Sequence, residues 1–349
     1  MLLGLDVGGT FTDGAVVAGG KVVSVVKTPT THDNLLIGIL SAIDQVVKDV
    51  GSRQFTRIAL STTVVTNALV EGTIDQVGLC IMPGPGMDIR AALPVEPYIL
   101  SGSIDHRGRA VAEPGQDEVK AACRHFQSCD IFAISGKFSV RNPCHELAAA
   151  QWVQQQVNPN HITIGSQVSG SLNFLRRTNS AYYNAAVWRH FSGFAAGVET
   201  ALKVRGISAP VYILKADGGT LPLGVARNYP VEGIFTGPAA SVLGIMAINP
   251  TELPTVSLDI GGTTTDIALW KNGMPLFAEG GARVGSFVTA LRAFRLSSVG
   301  VGGDSLVYRS DGLLKIGPMR KGPAMTAGGQ WPTVTDAMVA AGLIDFGNR

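Results

Sequence analysis

Over the first thirty residues short apolar runs are broken by glycines and polar positions, which predicts three strands across residues 2–28. The pattern then changes to that of a helix: Leu35, Leu36, Ile39, Leu40, Ile43, Val46 and Val47 recur at helical spacing between Asn34 and Val50. A β-β-β-α opening follows. Arg57–Leu60 reads as a short strand that runs into S-T-T-V-V-T-N-A-L-V-E-G, placing Ser61, Thr62, Thr63, Thr66 and Asn67 on a loop and first helical turn. Gln76–Met82 is a further strand, closed by P-G-P-G, and Asp117–Gln127 a helix. Asp130–Ser135 is a buried strand, followed by a helix from near Pro143 to Gln156, with Asn142 as its cap and Pro143 in its first turn. One long helix is expected over Ser180–Val204, stopping before Gly206, and Val211–Leu214 is a strand. Residues 231–245 give a turn and then a helix whose N-terminus suits an anion. Leu306–Arg309 is a strand after S-S-V-G-V-G-G-D-S. Gly317–Gln330 is a loop, and a helix covers Thr333–Leu343 behind T-V-T-D.

Set into this pattern is a repeat. Asp6–Asp13 reads D-V-G-G-T-F-T-D, and Asp259–Asp266 reads D-I-G-G-T-T-T-D. Ala15 and Gly20 have counterparts in Ala268 and Gly273 at the same offset of 253 (259 less 6). Each copy follows an apolar run, so each is expected to be a strand, a glycine turn and a second strand. Adjacent glycines let a ligand approach the backbone, and successive N–H groups then form a concavity for phosphate oxygens. Gly8, Gly9, Thr10 and Thr12 in one copy, and Gly261, Gly262, Thr263, Thr264 and Thr265 in the other, are the candidate phosphate contacts. A carboxylate beside phosphate needs a screening charge, so Asp6 and Asp259 are the candidate catalytic and Mg2+-orienting residues. Asp13 and Asp266, farther along the outgoing strands, are expected to brace the hairpins. A single D-x-G-G-T could equally be a tight turn closed by an Asx bond. Its duplication favours a two-sided clamp on a polyphosphate.

At 349 residues the chain has room for two domains with substantial cores. A net charge of +2 gives no reason to expect nucleic acid or an acidic membrane surface as partner. No apolar stretch approaches the ~20 residues that span a bilayer, Asp6 interrupts any signal-like start, and a cytoplasmic location is expected. Cys80, Cys123, Cys129 and Cys144 form no C-x-x-C pair and are expected as reduced packing residues. Two other groups invite chemistry. K-A-D-G-G-T is a third Asp-Gly-Gly turn, and Arg141, His145 and Glu146 gather at a strand-to-helix junction of the kind where α/β sheets bind ligands. Each also has a structural reading, Arg141 as an ion-pair partner of Glu146 and His145 as a packing or capping residue.

Taken in order, L-D-V-G-G-T-F-T-D, S-T-T-V-V-T-N-A-L at 61, R-N-P-C-H-E at 141, R-T-N-S-A-Y-Y-N-A at 177, A-D-G-G at 216, F-T-G-P-A-A-S at 235, L-D-I-G-G-T-T-T-D at 258, G-V-G-G-D-S at 300 and T-V-T-D-A at 333 resemble the hydantoinase A, 5-oxoprolinase and acetone carboxylase subunit family. The resemblance implies an α/β fold of duplicated ribonuclease-H-like (actin-like ATPase) domains, mixed sheets flanked by helices, with a cleft between the two domains. These are expected at 1–165, with the first phosphate loop, and 166–349, with the Asp-Gly-Gly turn and the second. It implies ATP and Mg2+ as cofactors and ATP-dependent opening of a cyclic amide of hydantoin or 5-oxoproline type through carbonyl phosphorylation. On that reading Thr62, Thr63, Asn67, Arg141 and Asp217 contact the small-molecule cyclic amide, and a second hydantoinase-type subunit or a homo-oligomer is a possible partner. The alternatives are a small-molecule kinase or acetone-carboxylase-type subunit, and a nucleotide-binding module without turnover. The family's further helical stretch and glycine-rich adenosine-binding turn are not read before Arg349, so weak hold on the nucleoside is expected.

Overall fold

In the computed structural model, the structure describes residues 1–8, 11–31, 35–51, 55–248 and 252–347. The chain forms two compact units, Met1–Ala239 with Ala278–Ala293, and Ala240–Phe277 with Phe294–Arg349. The division expected at 165/166 falls inside the first unit.

The first unit opens with β1 (Leu2–Val7), β2 (Phe11–Ala18), β3 (Lys21–Pro29), α1 (Leu35–Val50), β4 (Arg57–Thr62), α2 (Val64–Glu71) and β5 (Gly78–Met82). It continues through β6 (Tyr98–Ile99), the small β7 (Ser103–Ile104) and β8 (Ala110–Ala112) pair, α3 (Gln116–His125), β9 (Ile131–Gly136), α4 (Cys144–Val157) and β10 (His161–Ile164). After the short α5 (Gly165–Val168) come α6 (Phe174–Ala186), α7 (Trp188–Val204), β11 (Val211–Leu214), β12 (Thr220–Pro222) and α8 (Leu223–Ala226), and the first unit ends within the first turn of α9 (Thr236–Ile248), the rest of which belongs to the second. One six-stranded sheet runs β12-β11-β4-β1-β2-β3 and a second, parallel sheet runs β10-β9-β5-β6. The pattern explains both. β1 alternates, with Leu3, Leu5 and Val7 buried on one face against Ile39, Ala42, Ile43 and Val46 of α1 and their neighbours. β5 and β9 are buried at every position, as unbroken apolar runs in a parallel sheet are.

The single helix expected over 180–204 is two. α6 starts earlier, capped by Asn173, whose side chain accepts the Arg176 N–H, and it ends at Val187 before α7 begins. The apolar period carries across the break, but α6 packs on β9 and β10 while α7 packs on α1 and α2, so tertiary packing overrides the continuous pattern. At α4 the cap shifts by one residue: Pro143 occupies the cap position, and Asn142 Oδ1 accepts the Cys144 N–H.

The second unit is a four-stranded sheet of β13 (Thr255–Ile260), β14 (Thr265–Lys271), β15 (Met274–Pro275) and, later in the chain, β18 (Leu296–Val299), which pairs with β14. Between them the chain returns to the first unit as a hairpin, β16 (Arg283–Val284) and β17 (Phe287–Val288), seated on α6. Asn179 Nδ2 donates to Val288 O, and Ser180 Oγ accepts the Ala290 N–H. The buried polar run after Arg177 is therefore the seat of a segment some hundred residues away in the chain. β19 (Val307–Ser310), β20 (Leu313–Ile316) and α10 (Val334–Ala340) complete the second unit.

Candidate active site

Both copies of the repeat fold as the same hairpin. Asp6 stands opposite Asp13 in the β1–β2 register, and Asp259 opposite Asp266 in β13–β14. The Gly8 N–H donates to Phe11 O at 3.0 Å, and the Gly261 N–H, at the same offset, donates to Thr264 O at 2.9 Å. A Cβ on Gly8 would lie 3.1 Å from Phe11 O and one on Gly261 3.3 Å from Thr264 O, so glycine is what lets each turn close this tightly. Gly9 and Thr10 lie outside the described residues.

Around these shared bonds the side chains diverge. Thr12 is fully buried: its Oγ1 is 3.1 Å from Thr30 Oγ1, beneath Gly38 of α1, so it supports the first hairpin from behind. In the second, Gly261, Gly262, Thr263 and Thr264 are exposed and Thr265 Oγ1 donates to Val301 O. Asp259 is exposed and accepts from Ser241 Oγ of α9. Asp13 forms an exposed ion pair with Lys27 at 2.8 Å. Burial pushes the Asp266 carboxyl up, with Asp259 adding to the rise and Ser298 opposing it.

The parallel strands β1, β4 and β11 end along one edge of the first sheet. Asp6 is in register with Ser61 and Val7 with Thr62, while Leu60 pairs with Ile213 of β11. That edge collects Asp6, Gly8, Ser61, Thr62, Thr63 and the Lys215-to-Gly219 turn, the position at which such sheets bind ligands. Thr62 is locked into it: its N–H donates to Thr236 Oγ1, which donates in turn to Thr62 O, both at 2.9 Å. Thr63 precedes the first turn of α2 and accepts from Asn67 Nδ2 at 3.3 Å, leaving both side chains partly open. Phe235, held at a positive φ of 57°, starts α9 beside them, its N–H donating to Thr66 Oγ1.

Asp217 Oδ1 accepts the Gly219 N–H and closes the third Asp-Gly-Gly turn. Its other oxygen faces Lys215 Nζ at 3.6 Å, and Glu232 Oε2 lies 3.1 Å from the same ammonium. Burial alone would depress Lys215, but Glu232 and Asp217 outweigh it and hold the ammonium firmly charged. Burial, with Asp217 adding to it, raises Glu232 in spite of Lys215. This half-buried cation between two carboxylates is absent from the candidates read off the sequence; its only signal there was the charged residue beside each of two glycine turns.

Arg141 does not join that edge. It is exposed on the turn after β9 in the other sheet, packed along Gly108, and Glu146 is not its partner. Glu146, fully buried, accepts the N–H groups of Gly136 and Ser166 at 2.7 and 2.9 Å. The fully buried Arg177 donates to the carbonyls of Ser171 and Gly136. Burial pushes the Glu146 carboxyl up and the Arg177 guanidinium down. These motif residues knot the end of β9 to α4, α5 and α6. His145 is buried, with Nε2 2.9 Å from Glu113.

Among the described residues no three His, Cys, Asp or Glu side chains converge on a common point. Magnesium suits such a site, since it commonly keeps several waters and takes one or two carboxylates plus phosphate oxygens. Each hairpin offers one hard oxygen donor, Asp6 or Asp259, next to a turn that a Cβ would crowd.

The model of the hydantoinase/oxoprolinase N-terminal region matches residues 2–157, and that of the hydantoinase/oxoprolinase family matches 177–347. The chain belongs to the hydantoinase/oxoprolinase family. It is 28% identical over 382 residues to the caprolactamase subunit alpha of Pseudomonas jessenii, covering 99% of this chain and 55% of that protein. The crystal structure of the ATP-dependent caprolactamase from the same organism superposes with a TM-score of 0.79 at 26% identity, covering 99% of this chain and 55% of that one. Nucleotide-free acetone carboxylase superposes at 0.81 with 20% identity over the same shares, a likeness of fold. The chain thus spans about half the length of these relatives. No helix among the described residues is long and apolar enough to cross a membrane.

Proposed function

We propose that the chain supplies the nucleotide-using part of an ATP-dependent cyclic amide hydrolase. The observation that carries this reading is the twinned hairpin, the same turn with the same internal hydrogen bond and the same opposed aspartates. Its likeness to an ATP-dependent caprolactamase supports the reaction class. An amide carbonyl is a poor electrophile, and phosphorylating its oxygen converts that oxygen into one that can depart. The γ-phosphoryl group of ATP passes to the ring carbonyl oxygen and ADP leaves; one water adds to the carbon, the C–N bond breaks and the nitrogen takes up a proton, leaving an acyl phosphate that a second water hydrolyses to the carboxylate and phosphate. The backbone at Gly8 and that of Gly261–Thr265 holds phosphate oxygens, with Thr12 bracing the first hairpin. Asp6 and Asp259 orient magnesium and its waters; the ion would supply charge neutralisation at the transferred phosphoryl group. Thr63, Asn67 and Asp217 line the ring's approach, Thr62 fixes the strand end behind them, and Arg141 guides an anionic group at the surface. A second subunit completes the enzyme, in keeping with a relative that is itself a subunit.

The test is Mg2+-dependent phosphate release from ATP in the presence of hydantoin, 5-oxoproline or caprolactam, with the opened ring quantified in parallel. The assay is run on the chain alone and with a co-expressed hydantoinase-type second subunit. Ring-dependent release with stoichiometric ring opening is expected. A phosphorylated product that survives would move the assignment to a kinase or carboxylase-type subunit, and failure of ATP to bind would overturn it.

A further inference from the structure

The second hairpin has an electrostatic deficit. Its eight residues include two carboxylates and no cation, so a polyphosphate drawn to the Gly261–Thr264 backbone meets surplus negative charge unless a neighbour corrects it. Among the described residues of the second unit, one basic side chain is tied to that turn. Arg320 Nη2 lies 2.8 Å from Asp304 Oδ2, and the same oxygen lies 2.9 Å from where a Cβ on Gly262 would be. The guanidinium nitrogen is therefore no farther from that point on Gly262 than those two distances end to end. Lys315, by contrast, is engaged by Asp311, and Lys321 lies over the Trp331 ring.

The backbone under this pair is over-determined. The Gly303 N–H donates to Gly261 O at 2.9 Å and the Asp304 N–H to Gly262 O at 2.7 Å, which stitches the G-V-G-G-D-S loop onto the hairpin. A Cβ on Gly302 would fall 2.5 Å from Gly261 O, so the two turns touch backbone to backbone. Ser305 Oγ accepts the Gly302 N–H, and the backbone N–H and Oγ1 of Thr335 both donate to Gly303 O. The segment leading to Arg320 is pinned to the same loop: the Gly317 N–H donates to Leu306 O, and the Leu306 N–H to Met319 O. Arg320 thus projects from a fixed base, its side chain 37% exposed, and apart from this ion pair it makes no hydrogen bond to a described residue. A planar fork with one nitrogen held by a carboxylate and the rest open is suited to phosphate oxygens.

We propose that Arg320, steered by Asp304, donates hydrogen bonds to the polyphosphate at the second hairpin. The proposal rests on the nucleotide reading above. Its test is calorimetric titration of the full chain with Mg-ATP and with inorganic tripolyphosphate, using wild type, Arg320→Ala, Arg320→Lys, Asp304→Asn and the Arg320→Ala/Asp304→Asn double variant. Thermal melts would check that each is folded. Arg320→Ala is expected to weaken both ligands about tenfold, the loss of one charge-assisted contact. Lysine should restore part of the loss, and Arg320→Ala should still lower affinity in the Asp304→Asn background. If that last loss vanishes, Arg320 only neutralises Asp304 and the proposal falls. If wild type binds and Arg320→Ala binds equally well, this inference fails while the nucleotide reading stands. If wild type binds neither ligand, the nucleotide reading fails and takes this one with it.

Discussion

The two hairpins share a turn but not a setting. β1 lies inside a six-stranded sheet between β2 and β4, with Leu3, Leu5 and Val7 nearly inaccessible, whereas among the described residues β13 pairs only with β14 and leaves Val256, Leu258 and Ile260 more than half exposed. The turn nevertheless closes with the same hydrogen bond in both. The closing hydrogen bond is therefore a local property of the glycine that donates it, while burial is assigned by whatever the flanking strands happen to pack against. Supporting charges differ as well: Lys27 answers Asp13, while Asp266 sinks into its sheet and is raised.

If the two turns are functionally equivalent in spite of this, Asp6→Ala and Asp259→Ala should each slow ring-dependent phosphate release by roughly a thousandfold with far-UV circular dichroism unchanged. A variant at normal rate would break the equivalence for its hairpin. The difference in setting should appear in stability. Leu5→Ala, emptying a packed site, is expected to cost about 3 kcal/mol in urea unfolding, and Leu258→Ala less than about 0.5 kcal/mol. Equal costs would mean that β13 is covered in solution.

Acid should separate the units further. Burial would raise Asp336, but the N–H groups of Thr326 and Met325 and both donors of Thr333 hold it down to about 2. A depressed carboxyl stabilises the folded state above its unfolded pKa and stops doing so as pH falls through the folded one. The melting-temperature gap between wild type and Asp336→Asn should therefore be constant above about pH 4 and close toward pH 2. A gap that persists at pH 2 would show that the capping contacts act without charge. Smallest of all, Lys27→Ala should shift stability by no more than about 0.5 kcal/mol, since the Asp13 pair is solvent-exposed. A larger loss would mean that the first turn relies on its brace.

Much of the fold was legible because its signals are local. The short apolar runs at 2–28, the helical run after Asn34 and the duplicated turn each lie within a few residues, and the structure reproduces them with small shifts in their ends. What escaped was long-range. The break at Val187 comes from two halves of one apolar stripe packing on different elements. Residues 278–293 read as part of the second half but belong to the first unit, because the buried polar face of α6 receives them. Lys215 and Glu232 are seventeen positions apart and meet only because the β11 turn lies against the segment before α9. The same cause reshaped the candidate list: Thr12 and Thr62 carry the right chemistry on the inward side of their strands, and Arg141 follows a strand of the other sheet.

The open flank of β13 has a practical side. A strand with one neighbour presents a row of unpaired amide and carbonyl groups, and when its side chains are valine, leucine and isoleucine it can recruit a like segment into intermolecular β pairing. Expression yield and shelf life of this polypeptide should then depend more on what shields residues 255–260 than on the strength of its buried core, and a lysine at Val256 is the kind of gatekeeper that natural sheets use to stay monomeric.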